Sequence, residues 1–169
     1  MRKGIAVTGL LAAILVFVAD QASKWWILHG LNLPDIGQLV ILPVLNFTMV
    51  WNRGVTFGLL TGNSTFAHLG LAVFAVAVVV VLGIWVLRSN RLAIAIPVGA
   101  IAGGALGNVA DRLHYGAVVD FIQAHAFGYS WYVFNVADAA IVCGVAALVI
   151  DNLLPGRSET TAARAKNRG

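Results

Sequence analysis

Two aspartates, Asp120 and Asp138, are the residues of this chain best suited to chemistry. Asp120 lies in Val118-Val119-Asp120-Phe121-Ile122 and Asp138 closes Phe134-Asn135-Val136-Ala137-Asp138. Neither has a cation three or four residues away, so neither is neutralised along a helix face. Ionisable groups in apolar surroundings are costly, which makes them functional candidates. Two carboxyls brought together cannot both ionise cheaply, so they share a proton. The ionised one then takes a proton from water as it attacks an amide carbon, while the protonated one hydrogen-bonds the carbonyl oxygen. This is aspartyl protease logic, and it requires neither a metal nor a covalent nucleophile.

A second tier of polar residues surrounds these two. Asp20 and Lys24 form an i, i+4 pair in the favourable order, so mutual neutralisation and a functional role are both open. Asn52 falls in the turn Asn52-Arg53-Gly54, which it can shape or leave for a site. Asp111 and its neighbour Arg112 suggest an interfacial ion pair in structural support. Asn108 and Asn135 each precede an aspartate by three residues, which places each pair on one helix face. Gly99, Gly103 and Gly107 recur every four residues, with Gly104 beside them. That strip lets another helix approach closely within a membrane.

Other chemistries find less support. His29, His68, His114 and His125 form no H-E-x-x-H pattern, so metal hydrolysis is not expected and no cofactor is implied. Gly62-Asn63-Ser64-Thr65 is not G-x-S-x-G, and Ser23 points to a different helix face from Lys24. The single cysteine, Cys143, has no intrachain partner and reads as a small buried hydrophobe.

The elements that must position these residues are membrane helices. The chain has 169 residues, 60% hydrophobic and only 11% charged, with a mean hydropathy of +0.88. That composition excludes a soluble domain and predicts a single membrane domain spanning 1–169. The net charge of +4 lies beside apolar segments and in the tail, so it indicates membrane orientation rather than nucleic-acid binding. Four transmembrane helices are expected, over about 5–28, 66–87, 92–113 and 133–154. The first begins like a signal peptide but continues through Asp20 to Leu28, so it is read as uncleaved. Segments 29–65 and 114–132 lie outside, and residues 29–65 supply two or three short strands with a hairpin. The tail 155–169 is expected to be disordered.

Cations set the orientation. Arg2, Lys3, Arg88, Arg91, Arg157, Arg164, Lys166 and Arg168 fall on one side, and Lys24, Arg53 and Arg112 on the other. Both termini are therefore expected to be cytoplasmic. At ~1.5 Å per residue, Asp20 lies near the outer end of the first helix, and Asp138 about 8 Å inside the outer end of the fourth. Asn52, Asp111, Arg112 and Asp120 reach the same level. A small transporter or proton conductor is the rival reading, but its relay needs acids at several depths.

Six motifs in this order resemble the bacterial lipoprotein signal peptidase family, signal peptidase II. They are Asp20-Gln21-Ala22-Ser23-Lys24, Trp51-Asn52-Arg53-Gly54, Gly103-Gly104-Ala105-Leu106-Gly107-Asn108, Asp111-Arg112, Val118 to Ile122, and Phe134 to Asp138. The resemblance covers nearly the whole chain, and Arg53 departs from the small or polar residue expected there. It implies an inner-membrane aspartyl endopeptidase with Asp120 and Asp138 as its dyad. Such an enzyme cleaves diacylglyceryl-modified prolipoproteins just before the lipidated cysteine. It further implies that Asp20, Asn52, Asn108, Arg112 and Asn135 shape the substrate site or support the dyad, and Lys24, Gly54 and Asp111 are expected to join them in that support. A small outer sheet would cradle the substrate beside a mobile segment around 54–62, and a monomer among membrane lipids is expected.

Overall fold

A computed structural model describes residues 2–54 and 65–154. The segment expected to be mobile is described only at its first residue, Gly54, and the tail expected to be disordered lies outside the described residues. Among the described residues, four helices are long and apolar enough to cross a membrane. They are α1 (Arg2–Trp25), α3 (Thr65–Arg88), α4 (Leu92–Tyr115) and α5 (Val136–Leu153). A π-helical turn, Trp26–Gly30, prolongs α1, and a short helix α2 (Leu33–Ile36) leads into the sheet.

The sheet has strands β1 (Gln38–Leu42), β2 (Leu45–Asn52), β3 (Val118–Ala126) and β4 (Tyr129–Ser130), in the order β1-β2-β3-β4 and antiparallel throughout. The third strand arises where the sequence suggested only a loop, in the segment between the last two helices. It pairs along β2 from Leu45↔Ala124 to Asn52↔Val118, with a bulge between Phe47 and Val50. The β3–β4 turn sets Phe127 (φ 53°) and Gly128 (φ 82°) in left-handed conformations, as a two-residue hairpin requires.

The helix α4 packs against α1, α3 and α5. Its glycines are the reason it can. A Cβ on Gly99 would collide with the Gly9 carbonyl, and one on Gly103 with the Ala13 carbonyl, both in α1. On the neighbouring face, a Cβ on Gly104 would come 2.6 Å from the Ala137 carbonyl of α5. Without a hydrophobic driving force in lipid, such close backbone approach is what holds helices together. The large apolar side chains face outward instead, Leu15 at 70% and Val73 at 69% exposure, where hydrocarbon surrounds them.

Apolar cores flank a polar middle. At the sheet end, Ile27, Leu28, Leu33, Val119 and Phe121 pack together. Towards the opposite end, Val86, Ala95 and Val98 do the same. Between them lie the buried polar groups Asp20, Lys24, Asn108, Asp111, Asp120 and Asn135.

Candidate active site

Asp120 projects from β3 opposite Val50, beside the β2 bulge. Bulges bend a strand locally and re-aim its side chains, and here the consequence is that Asn52 meets Asp120. Asn52 Nδ2 donates to Asp120 Oδ2 at 3.0 Å, while Asn52 Oδ1 accepts from Gly54 N at 3.2 Å. Asn52 therefore shapes its turn and also serves the acid. On the other side, Asn135 Nδ2 donates to Asp120 Oδ1 at 2.7 Å.

Asp138 is the third residue of α5, and Asn135 is the N-cap. The Asp138 N–H donates to Asn135 Oδ1 at 2.9 Å, and the Asn135 N–H donates to Asp138 Oδ2 at 3.3 Å, closing a capping box. This departs from the sequence reading in two respects. The fourth helix starts at Val136 rather than Val133, because Phe134 exchanges backbone hydrogen bonds with Ile122 of β3. Asp138 consequently stands in the first turn of α5, not several residues inside it, and Asn135 caps that helix instead of lying on its face.

Asn135, fully buried, thus binds both acids. Asn108 of α4 completes the set, its Nδ2 donating to Asp138 Oδ1 at 2.8 Å and its Oδ1 accepting from Asn135 Nδ2 at 3.1 Å. Asp120, 2% exposed, has its pKa pushed up to about 6. Burial is the largest cause. The negative charge of Asp138 adds to it, and the hydrogen bonds from Asn52 and Asn135 oppose it. The two carboxyls are thus electrostatic neighbours.

Behind the pair sits an ion cluster. Lys24 Nζ lies 2.8 Å from Asp20 Oδ2 and 2.7 Å from Asp111 Oδ2, and it donates to Asn108 Oδ1 at 3.2 Å. The i, i+4 pairing of Asp20 with Lys24 is present as the spacing suggested. The ion pair expected between Asp111 and Arg112 is not: adjacent helical residues point about 100° apart, and Asp111 turns inward to Lys24. Arg112 Nη1 donates to the Asn108 carbonyl at 3.2 Å, and its charge acts on Asp138, Asp111 and Asp120.

Gln21 escaped the sequence reading. Its Nε2 reaches Asp20 Oδ2 at 3.2 Å, Asp111 Oδ1 at 3.0 Å and the Gly107 carbonyl at 3.3 Å. Its position one turn before Lys24, within the first polar run of α1, is the signal that marks it. Cys143 lies on the exposed surface of α5, on the side of the helix that faces hydrocarbon rather than the bundle interior. Among the described residues, no three His, Cys, Asp or Glu side chains are grouped to hold a metal ion.

Comparisons with known proteins agree on a family. Residues 12–154 match the family model described as signal peptidase (SPase) II. A lipoprotein signal peptidase of Methylorubrum extorquens (strain PA1) is 44% identical over 148 residues, covering 88% of this chain and 86% of that protein. Another, of Rhodopseudomonas palustris (strain ATCC BAA-98 / CGA009), is 44% identical over 150 residues, covering 86% and 92%. Among solved structures, two bacterial membrane enzymes superpose with TM-scores of 0.74 and 0.76, at 30% and 29% identity. They cover 86% and 88% of this chain, and 87% and 94% of their own. The chain is a member of the signal peptidase II family.

Proposed function

We propose that this protein removes the signal peptide from lipid-modified prolipoproteins, cleaving before the diacylglyceryl-cysteine, as an aspartyl endopeptidase with Asp120 and Asp138 as its dyad. The observation that carries the reading is Asn135, which hydrogen-bonds one carboxyl through its amide and the other through its backbone N–H. An asparagine in that position holds two acids in one site, which isolated structural acids do not need.

Roles follow from the surroundings. Asp138 accepts hydrogen bonds at both oxygens, from Asn108 and from the Asn135 N–H, but so does Asp120, from Asn52 and Asn135. The raised pKa of Asp120, and not the hydrogen bonding, therefore assigns the roles, with Asp138 as the other member. Asp138 is the base that takes a proton from the attacking water. Asp120, with its raised pKa, holds the shared proton and donates it to the scissile carbonyl oxygen. Water oxygen bonds to the carbonyl carbon, giving a neutral tetrahedral diol. Asp138 then passes its proton to the leaving nitrogen, the C–N bond breaks, and Asp120 recovers a proton from a diol hydroxyl. The products are a signal peptide ending in a carboxyl group and a free amine on the lipidated cysteine. Arg112, whose charge acts on both acids, moderates the cost of the dyad's negative charge.

The polar site adjoins four membrane-length helices, so a substrate with an apolar signal helix and acyl chains reaches it laterally from lipid. The reading places the protein in the bacterial inner membrane as a monomer, and charge asymmetry supports both termini being cytoplasmic and the site lying at the extracytoplasmic face. The test is to incubate purified protein in detergent with a diacylglyceryl-modified prolipoprotein and with its unmodified counterpart. Release of the signal peptide from the lipidated form alone is the expected result; failure to cleave it would overturn the reading.

A further inference from the structure

The ion cluster behind the dyad makes two backbone contacts that charge neutralisation does not require. Asp20 Oδ1 accepts the backbone N–H of Ala137 at 2.9 Å, one residue before Asp138. Asp111 Oδ2 accepts the backbone N–H of Val119 at 3.1 Å, one residue before Asp120. Lys24 joins the two gripping carboxylates, and Gln21 bridges them a second time. All three charged groups are buried, at 0%, 1% and 2% exposure for Asp20, Asp111 and Lys24. A Cβ on Gly107 would strike the Asp20 carboxylate, so the last glycine of the strip leaves room for this contact.

We propose that Asp20 and Asp111, joined by Lys24, form a yoke that fixes the separation of the two catalytic carboxyls by holding the backbone immediately before each. This rests on the dyad reading and adds to it. The dyad aspartates come from a strand and from a helix start, two elements with no shared rigidity of their own. The yoke ties both to α1 and α4, which the glycine strip packs tightly together. Asp20, Lys24 and Asp111 are therefore positioning residues. A buried cluster with net negative charge is costly, and a simpler bundle would replace it with apolar packing. Its retention fits a demand for geometry.

The experiment separates acceptor from charge. Asp20→Asn and Asp20→Ala lose the same charge, but asparagine keeps an oxygen for the Ala137 N–H. Asp111→Asn and Asp111→Ala make the same comparison at Val119. Two carboxyls held close titrate at well-separated values and give a broad bell-shaped pH profile. If the yoke slackens, their interaction weakens and the bell narrows from both sides. Charge loss alone strengthens the pull of Lys24 and Arg112, the cations of α1 and α4 that act on the dyad, and slides both limbs to lower pH together.

Each alanine variant is expected to lose on the order of tenfold or more in kcat, with a narrowed bell and KM for lipidated substrate within about twofold. Each asparagine variant should keep the wild-type width and most of the turnover. Equal losses in the two variants at a position, or unchanged widths in the alanine variants, would overturn the yoke. Should the alanine variants not fold, the asparagine variants decide: a narrowed bell in them overturns it, and a retained width supports it. Wild-type cleavage and its loss in Asp120→Asn are read in the same assay, so a failure of the functional reading shows separately.

Discussion

Asp120, the proton donor of the proposed dyad, illustrates how such a group costs the fold that holds it. Its carboxyl would titrate at 3.8 in the unfolded chain and does so at about 6 in the folded protein. The contribution of this group to stability is thus complete below pH 3.8 and is lost as pH rises through 6. At pH 8 the ionised, buried side chain costs at most about 3 kcal/mol. Asp120→Asn removes that cost, and its amide oxygen can still accept from one of the two donors, Asn52 or Asn135, at the loss of the other hydrogen bond, about 1 kcal/mol. The variant should melt above wild type at pH 8 in detergent, with the gap closing towards pH 4; a variant that melts lower at pH 8 would contradict the assignment. At this scale the sequence was informative where chemistry leaves a spacing. The four-residue step from Asp20 to Lys24 is visible in the chain and real in the structure. The partner of Asp111 was not visible, because adjacency in sequence means divergence around a helix, and Lys24 arrives from another helix altogether. Gln21 was missed for a related reason: it carries no charge to flag it, and two of its partners lie 86 and 90 residues away.

At the scale of elements, the glycine strip converts small residues into geometry. Gly103 abuts the Ala13 carbonyl so closely that any side chain must part α1 from α4, and with them Asp20 and Lys24 from Asp111 in the proposed yoke. Catalytic geometry tolerates little of this, since a displacement of about 1 Å costs on the order of a hundredfold. Gly103→Leu should therefore cut turnover by about that factor, whereas Val80→Leu, on the exposed surface of α3, should leave it within about twofold. Turnover at matched amounts of folded protein decides it, and similar activities in the two variants would make the strip incidental. The long apolar runs announced the helices and the four-residue glycine period announced their contact. The strand carrying Asp120 did not announce itself. Asp120, Gln123 and His125 interrupt its pattern, and it pairs with β2 across more than sixty intervening residues, a non-local choice that no local window contains. The start of α5 was legible in principle, since an asparagine three residues before an aspartate is a capping-box spacing, yet the apolar run extending back to Val133 obscured it.

For the whole molecule, composition alone indicated membrane helices, and their lipid-facing surfaces bear this out as exposed Leu, Val and Phe. Orientation is a separate claim, resting on the uneven distribution of lysine and arginine. A phosphatase reporter that works only outside the cytoplasm should be silent when fused after Gly169 and active when inserted at the Phe127–Gly128 turn; the reverse pattern would invert the topology. The larger claim is that the molecule gathers Asp20, Asp111, Asp120 and Asp138 at one end of a helix bundle so that the last two can hydrolyse a peptide bond delivered from lipid. The most direct measurement is turnover of a diacylglyceryl-modified prolipoprotein by purified wild type, Asp120→Asn and Asp138→Asn, each shown to be folded. An amide nearly matches a carboxyl in shape but can neither share a proton nor accept one from water. Each variant should lose roughly 10²- to 10⁴-fold in kcat. Near-wild-type turnover in either would show that the dyad lies elsewhere.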